Sequence, residues 1–452
     1  MKYGWLMAIA ACALVYGNTL ENGFHYDDEH SIQDNIHLRD LGNIPRFFTD
    51  PGLFSVDAQK GMYRPLLLVS YAANYALGGY QVRGYHLVNI LLHGINAALV
   101  WWLARLFLGG YRPALIAGLL FALHPLGSEP VNYISSRSES LAACFYLLSL
   151  ALFIRYGKGQ HWGWLAASQG ALALGLLSKA VVITLPLAVL LYDFLFLSKR
   201  RWDVLLKKAP SRHAPYWLIA AGYVGLILHN GFLTRSLADP VRDNLAQFLT
   251  QVKAAAYYGL LLVAPVRLNV EHQFFDQLHW GEPQFILPLI LVATALGLAV
   301  LGYRQGRDRP LFLSLWAGLV LLPTAVMPLN VLVNEHRLYL SVAAFVLLLG
   351  LLFERCKPAA GWGWAVVGVL GAVYGLLCVE RNLAWADAFS LWGDAVAKAP
   401  QMERAHLYLG NAHSQAALAN QGVAPQRAAG GWDSRCLFRW ALSSQSPRST
   451  RH

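Results

Sequence analysis

Charge is scarce in this chain: Asp, Glu, Lys and Arg make up 13% of its 452 residues, against 56% hydrophobic residues and a mean hydropathy of +0.40. Soluble domains carry roughly 25% charged residues, so an ordinary water-soluble enzyme is excluded. Cysteine is sparse as well. Cys12, Cys144, Cys356, Cys378 and Cys436 lie singly, which argues against a disulfide framework or a cysteine-based zinc site and for small packing residues. No internal repeat relates the two halves of the chain, as it does in many secondary carriers. No outer-face trio of acids and histidines has the spacing of metal ligands. The Asn-x-Ser/Thr sequon is also missing, which fits a bacterial membrane without requiring one. The net charge is +11, but the excess lies in short loops between apolar blocks rather than along one basic face, so it speaks for membrane topology and against nucleic acid.

What fills the chain instead is a series of apolar blocks, among them Ala114 to Leu123, Leu141 to Phe153, Val181 to Leu197 and Phe285 to Leu301. The longer ones approach the roughly 20 residues that cross a bilayer. The first, Tyr3 to Leu20, reads as a retained signal anchor, because no small-x-small cleavage site follows it. Short loops rich in Lys and Arg mark the cytoplasmic side. The clearest runs from Ser198 to His213; Arg105 to Arg112, Arg155 to Lys158, Arg304 to Arg309 and Arg355 to Lys357 join it. About eleven spans connect these loops consistently, with the amino terminus inside and the carboxyl terminus outside. The polar chemistry then collects outside, in a long first loop at 21–83, a turn from His124 to Glu139 and a loop from about Leu233 to Glu282.

After the last apolar block the texture changes. Ala388, Trp392, Ala395 and Pro400 reproduce the spacing of the second helix of a tetratricopeptide repeat, and Leu409-Gly410 falls where the next repeat begins. Residues 381–417 are therefore expected to hold a partial repeat region. The remainder, 418–452, is rich in Gly, Ser, Arg and Pro and is expected to be a disordered tail.

The candidate chemistry sits in the outer segments. Asp27, Asp28 and Glu29 form an acidic cluster just past the first span, and Arg64 closes the same loop. His86, Asn89, His93 and Asn96 make one polar stripe on an apolar helix; such a stripe faces the bundle interior or a wet cavity, or hydrogen-bonds neighbouring helices. The next turn supplies His124, Glu129, Arg137 and Glu139, with Arg137 between hydroxyls in a setting that suits a phosphate. Ser178-Lys179 and Glu335-His336-Arg337 add cations where a phosphate can bind, although Lys179 and Arg337 can equally snorkel at helix ends.

Tyr26-Asp27-Asp28, Tyr63-Arg64-Pro65-Leu66, Asn74-Tyr75, His86-Leu87-Val88-Asn89, Leu123-His124-Pro125 with Glu129, Ser178-Lys179, Glu335-His336-Arg337 and Arg381-Asn382 with Trp385 follow one another in an order and spacing that resemble the transmembrane and tetratricopeptide-repeat protein O-mannosyltransferases and their bacterial relatives, members of the GT-C glycosyltransferase class. The resemblance runs from about Gly23 to Leu409. It implies an all-α polytopic bundle at 1–380 followed by the start of the repeat region. It also implies an inverting transfer of mannose or another hexose from a polyprenyl-phosphate carrier to Ser or Thr of an extracytoplasmic protein. An acid of the first loop would be the base, here Asp27 or Asp28, with Asp28 the more important. Arg64, His86, His124, Glu129, Arg137, Glu139, Lys179, Glu335, His336 and Arg337 would hold the donor phosphate and substrate. No cofactor is required by this scheme, and no spacing indicates a divalent metal. The expected setting is a bacterial inner membrane with the site on the periplasmic side, or the lumenal face of the endoplasmic reticulum in a eukaryote. Two rivals stay open: a polytopic transporter, and a glycosyltransferase or ligase whose acceptor is a glycolipid or polysaccharide.

Overall fold

The computed structural model describes residues 3–57, 61–230, 242–356 and 360–420, and the expected tail from 421 onward lies outside the described residues. The described helices are α1 (Gly4–Tyr16), α2 (Ile44–Phe47), α3 (Pro65–Gly78), α4 (Val82–Phe107), α5 (Tyr111–Leu123), α6 (Ser128–Asn132), α7 (Arg137–Gly159), α8 (Trp162–Leu176), α9 (Leu185–Tyr192), α10 (Trp202–Arg212), α11 (Ala214–His229), α12 (Asn244–Val263), α13 (Pro283–Arg304), α14 (Asp308–Leu319), α15 (Leu322–Val326), α16 (Tyr339–Cys356), α17 (Ala360–Ala384), α18 (Ala388–Lys398) and α19 (Glu403–Asn420). No strand occurs among the described residues.

Among the described residues, six helical stretches are long and apolar enough to cross a membrane, or seven if the bent pair Tyr111–Leu123 and Pro125–Asn132 is one span; Gly4–Thr19 and Ala214–His229 are shorter apolar helices. The protein is an integral membrane protein. The expected number of about eleven spans is reached only by adding helices shorter than the roughly 20 residues of a full crossing, such as α8 and α14. The shortfall has a local cause. Helices break where polar residues or prolines enter: at Ser178-Lys179 after α8 and at Pro323 after α14.

The bundle centres on α4, which packs against α1, α5 and α7, while α16 packs on α5 and α14. The polar stripe of α4 faces inward and is fully buried. His93 reaches Tyr339 Oη at 2.7 Å and the Ala122 carbonyl at 3.2 Å, Asn89 donates to the Val131 carbonyl at 3.1 Å, and Asn96 donates to the Ser140 carbonyl at 2.9 Å. Inside a bilayer these groups have no water to turn to. They tie α4 to its neighbours. By contrast, α13 is exposed along nearly its whole length, with Leu287, Leu296 and Leu298 all open, as a lipid-facing helix should be.

The described residues of the first loop, 21–57 and 61–83, form a compact cap. Ile32, Leu38, Phe47, Leu53 and Phe54 bury against Leu67, Leu68 and Tyr71 of α3, Tyr85 of α4 and Ile134. Each such side chain contributes about 1.5–3 kcal/mol when fully buried. Short turns build the cap: Asn35, Asp40 and Asp50 each accept a hydrogen bond from a backbone N–H two residues on.

At the other end of the chain, α18 and α19 form a helical hairpin joined by 399–402, with Asp387 capping α18 by accepting from the Ser390 N–H at 2.8 Å. Trp392, Ala395 and Ala405, three positions of the repeat register or its continuation, are buried between the hairpin and the outer face of the bundle. One hairpin is a supersecondary unit and not a repeat array.

Candidate active site

Segment 128–139 links the outer elements. It leaves α5 through a turn, forms α6, breaks at Tyr133–Ser136 and re-enters the membrane as α7. Along it, Glu129 meets His336, Tyr133 meets the Asp27 backbone, Ser135 meets Asp28, Ser138 meets Arg64 and Glu139 meets Lys179. Pro125 and Pro130 and the run of hydroxyl residues deny this stretch a continuous helix. Its side chains consequently point several ways at once.

Asp28 is fully buried. Its Oδ1 accepts from the Ser135 N–H at 2.7 Å and the Ser135 hydroxyl at 2.5 Å, and its Oδ2 accepts from the His25 N–H at 3.0 Å. Burial pushes its pKa up to about 7, against those three donors, which pull it down. Asp27 stands differently: its side chain is 40% exposed and its Oδ1 lies 3.1 Å from His30 Nε2. His30 Nδ1 is in turn 2.9 Å from Ser55 Oγ. The two acids therefore differ in access. The more accessible carboxylate belongs to Asp27, and the Asp28 carboxylate is spent on holding the cap to segment 128–139.

A second group lies across the same segment. Glu129 Oε1 is 2.8 Å from His336 Nδ1, and its Oε2 accepts from the His336 N–H at 3.0 Å. His336 Nε2 is 3.8 Å from Glu139 Oε1, which forms a 2.5 Å ion pair with Lys179. Arg64 and Arg337 both act electrostatically on Lys179, and Arg64 donates to Ser138 Oγ at 3.2 Å. Arg337 is anchored to the Leu332 and Val331 carbonyls. Of these partly exposed cations, Lys179 pairs with the buried Glu139, Arg64 acts on both, and Arg337 acts on Lys179. An apolar cavity of about 420 Å³ runs along α11, lined by Ile183, Trp217, Ala220, Val224 and Leu228. Arg64 also acts electrostatically on Tyr223 of that helix.

Four expected ligands are placed elsewhere. Arg137 is fully buried, with Nε on Asn89 at 2.7 Å, Nη1 on Asn74 at 2.7 Å, Nη2 on the Tyr85 carbonyl at 2.9 Å and the Tyr71 ring centroid 5.0 Å away. Its donors are used inside the protein, so no phosphate can reach them. His86 holds the Asn22 carbonyl at 2.9 Å and His124 the Leu262 carbonyl at 3.1 Å; both are fully buried and join segments. Glu335 is buried beside His272 at 3.1 Å and accepts from the Asn269 N–H. All four are packing polar groups. Among the described residues no set of three His, Cys, Asp or Glu side chains is placed to hold a metal ion.

Residues 65–228 match the family described as "Dolichyl-phosphate-mannose-protein mannosyltransferase". The chain is 35% identical over 199 residues to protein O-mannosyl-transferase Tmtc1 of Drosophila melanogaster, covering 42% of this chain and 23% of that protein. Protein O-mannosyl-transferase TMTC4 of Mus musculus is 26% identical over 486 aligned positions, covering 90% of this chain and 63% of the relative. The chain is thus similar to the protein O-mannosyl-transferases. Its fold is that of the GT-C class: ArnT from Cupriavidus metallidurans in the apo state superposes with a TM-score of 0.52 at 16% identity, over 94% of this chain and 81% of that one. The same enzyme bound to undecaprenyl phosphate gives 0.50 at 16% identity, over 93% and 73%. The matches span less than a quarter of the Drosophila protein and under two thirds of the mouse one.

The O-mannosyl-transferase match over 65–228 contains segment 128–139 and Lys179 but not Asp27 or Arg337. Several residues that build the site lie outside the set of site residues expected from the sequence: His25, His30 and Ser135 around the acids, Arg381 and Glu271 against the hairpin, and Arg404 on α19. Asn22, Asn132 and Asn382, linked at 2.8 and 2.7 Å, join them. His30, at a three-residue spacing from Asp27, carried the one usable signal.

Proposed function

We propose that the chain moves a sugar from a polyprenyl-phosphate carrier to a hydroxyl of an extracytoplasmic protein. The observation that carries this reading is that segment 128–139 joins the loop of the accessible Asp27 carboxylate, through Tyr133 and Ser135, to the cations Arg64 and Lys179, through Ser138 and Glu139. The description of the matched family supplies the donor class, a dolichyl-phosphate sugar. In this scheme the groove along α11 takes the first isoprenoid units and Arg64, Lys179 and Arg337 take the phosphate. The acceptor Ser or Thr oxygen attacks the anomeric carbon from the face opposite the phosphate. Its proton passes to Asp27, the bond from the anomeric carbon to the phosphate oxygen breaks, and polyprenyl phosphate departs with the electron pair, inverting the centre. A general base contributes typically 10²–10⁴-fold, and the cations stabilise the charge growing on the leaving phosphate. Glu129 and His336 fix the base of segment 333–339, so that Arg337 stays aimed. The site faces away from the basic loops, hence outside the cytoplasm.

The test is transfer of label from radiolabelled polyprenyl-phosphate mannose in membranes carrying the chain. Label reaching protein at Ser or Thr supports the whole proposal. Label on lipid or polysaccharide would leave the transferase and displace the acceptor; no transfer from this or other polyprenyl-phosphate sugars would contradict the reading and favour a carrier.

A further inference from the structure

Segment 22–26, which leads into the two acids, is bound at successive points to the C-terminal part of the chain. Asn22 Nδ2 donates to the Asn382 carbonyl at 3.0 Å, the Gly23 N–H donates to the Ala386 carbonyl at 3.1 Å, and His25 Nε2 lies 2.7 Å from the Trp385 carbonyl. Tyr26 then adopts φ +54°, a left-handed conformation that a bulky aromatic residue holds only when its surroundings impose it. Those surroundings are largely the hairpin. The Tyr26 ring meets Tyr408 edge-on at 4.9 Å and Trp392 at 6.1 Å, and Trp392 stacks on Tyr408 at 4.5 Å. The Arg404 guanidinium lies 5.2 Å from the Tyr26 ring centroid, fixed by Glu271 at 2.9 Å, and its charge reaches Asp27.

We infer that Arg404 and Tyr408 are positioning residues for Asp27: the α18–α19 hairpin clamps Tyr26 in its left-handed conformation and thereby aims the carboxylate that follows it. A peptide held this way sets the direction of the next side chain. Without the clamp, Tyr26 relaxes to an ordinary backbone conformation and the Asp27 carboxylate turns with it. The hairpin is then a working part of the outer face, whatever it binds beyond residue 420. The donor cations Arg64, Lys179 and Arg337 contact other elements, so a loosened clamp leaves donor binding intact.

This inference rests on Asp27 being the base, and its test keeps the two ideas apart. Hydrogen exchange of the full-length protein in detergent is followed for amides 25–34 and, as an internal reference, α4, in wild type, Arg404→Ala, Tyr408→Ala and Arg404→Lys. Sugar transfer from polyprenyl-phosphate mannose is measured on the same samples. The clamp predicts faster exchange at 25–34 with α4 unchanged, kcat down roughly 10- to 100-fold with the donor KM unmoved, and Arg404→Lys between wild type and Arg404→Ala. Unchanged exchange at 25–34 overturns the clamp, as does full kcat despite faster exchange, or a loss that appears in donor KM. If the wild type transfers no sugar, the functional reading fails, and the exchange data alone then support or overturn the clamp.

Discussion

Tyr26 is followed by two carboxylates in opposite surroundings. Asp28 is enclosed with three donors, and Asp27 is half-open beside His30. The buried acid has a measurable signature. Its pKa rises from the usual 3.8 to about 7 on folding, because burial outweighs the hydrogen bonds. The folded state therefore binds more protons than the unfolded one between these values. The stability this group contributes is fully present below 3.8, declines as pH rises, and is gone above about 7. Asp28→Asn cannot release a proton. Thermal unfolding in detergent at a series of pH values should show the wild type losing stability across that window and the variant losing less; parallel curves would contradict the account.

At the scale of elements, the broken segment 128–139 separates two kinds of cation that look alike in sequence. Arg137 belongs to the packing of α3, α4 and α7, and Lys179 belongs to the outer cluster. Removing the Arg137 guanidinium leaves Asn89, Asn74 and the Tyr85 carbonyl without their partner, at a cost of about 1–3 kcal/mol for each group left unsatisfied. Arg137→Ala should thus lower the yield of monodisperse protein on size exclusion while the surviving fraction keeps its donor KM. Lys179→Ala leaves the buried Glu139 unpaired and should also lower the yield, but its surviving fraction should show a donor KM raised about tenfold or more, the loss expected for a charge-assisted contact to phosphate. The reverse pattern would exchange their roles. Much of this level was legible in the sequence: the polar stripe of α4, the outer turn at 124–139 and the break at Ser178-Lys179 all stand where their spacing put them. The partners were not. Arg137 among hydroxyls reads as a phosphate ligand until Asn74 and Asn89, from 63 and 48 residues away, are seen to saturate it. His86 and His124 likewise found backbone carbonyls that carry no sequence signal.

At the scale of the whole molecule, the basic loops and the polar outer segments define two faces. The inner one is pinned by Asp193, which accepts from Ser198 at 2.7 Å and meets Arg212 at 3.1 Å and His213 at 2.9 Å. In a chain with Cys356→Ser and Cys436→Ser, a cysteine placed at the exposed Gln273 should react with an impermeant maleimide added outside, and one at the exposed Lys207 should not. Labelling at Lys207 instead would invert the topology. Two expectations fared differently here. The all-helical fold followed from hydropathy alone, since it depends on local composition. The contact between the C-terminal hairpin and the first loop, across some 360 residues, depends on tertiary packing and left no local trace beyond its aromatic residues. That contact matters because the central claim concerns the residue it surrounds. The direct measurement is single-turnover sugar transfer from polyprenyl-phosphate mannose by Asp27→Asn and Asp28→Asn, each with donor binding measured in parallel. The account predicts that Asp27→Asn loses about 10²-fold or more in rate with donor affinity unchanged, while the folded fraction of Asp28→Asn retains most of its turnover. Full activity in Asp27→Asn, with turnover abolished in a well-folded Asp28→Asn, would contradict it.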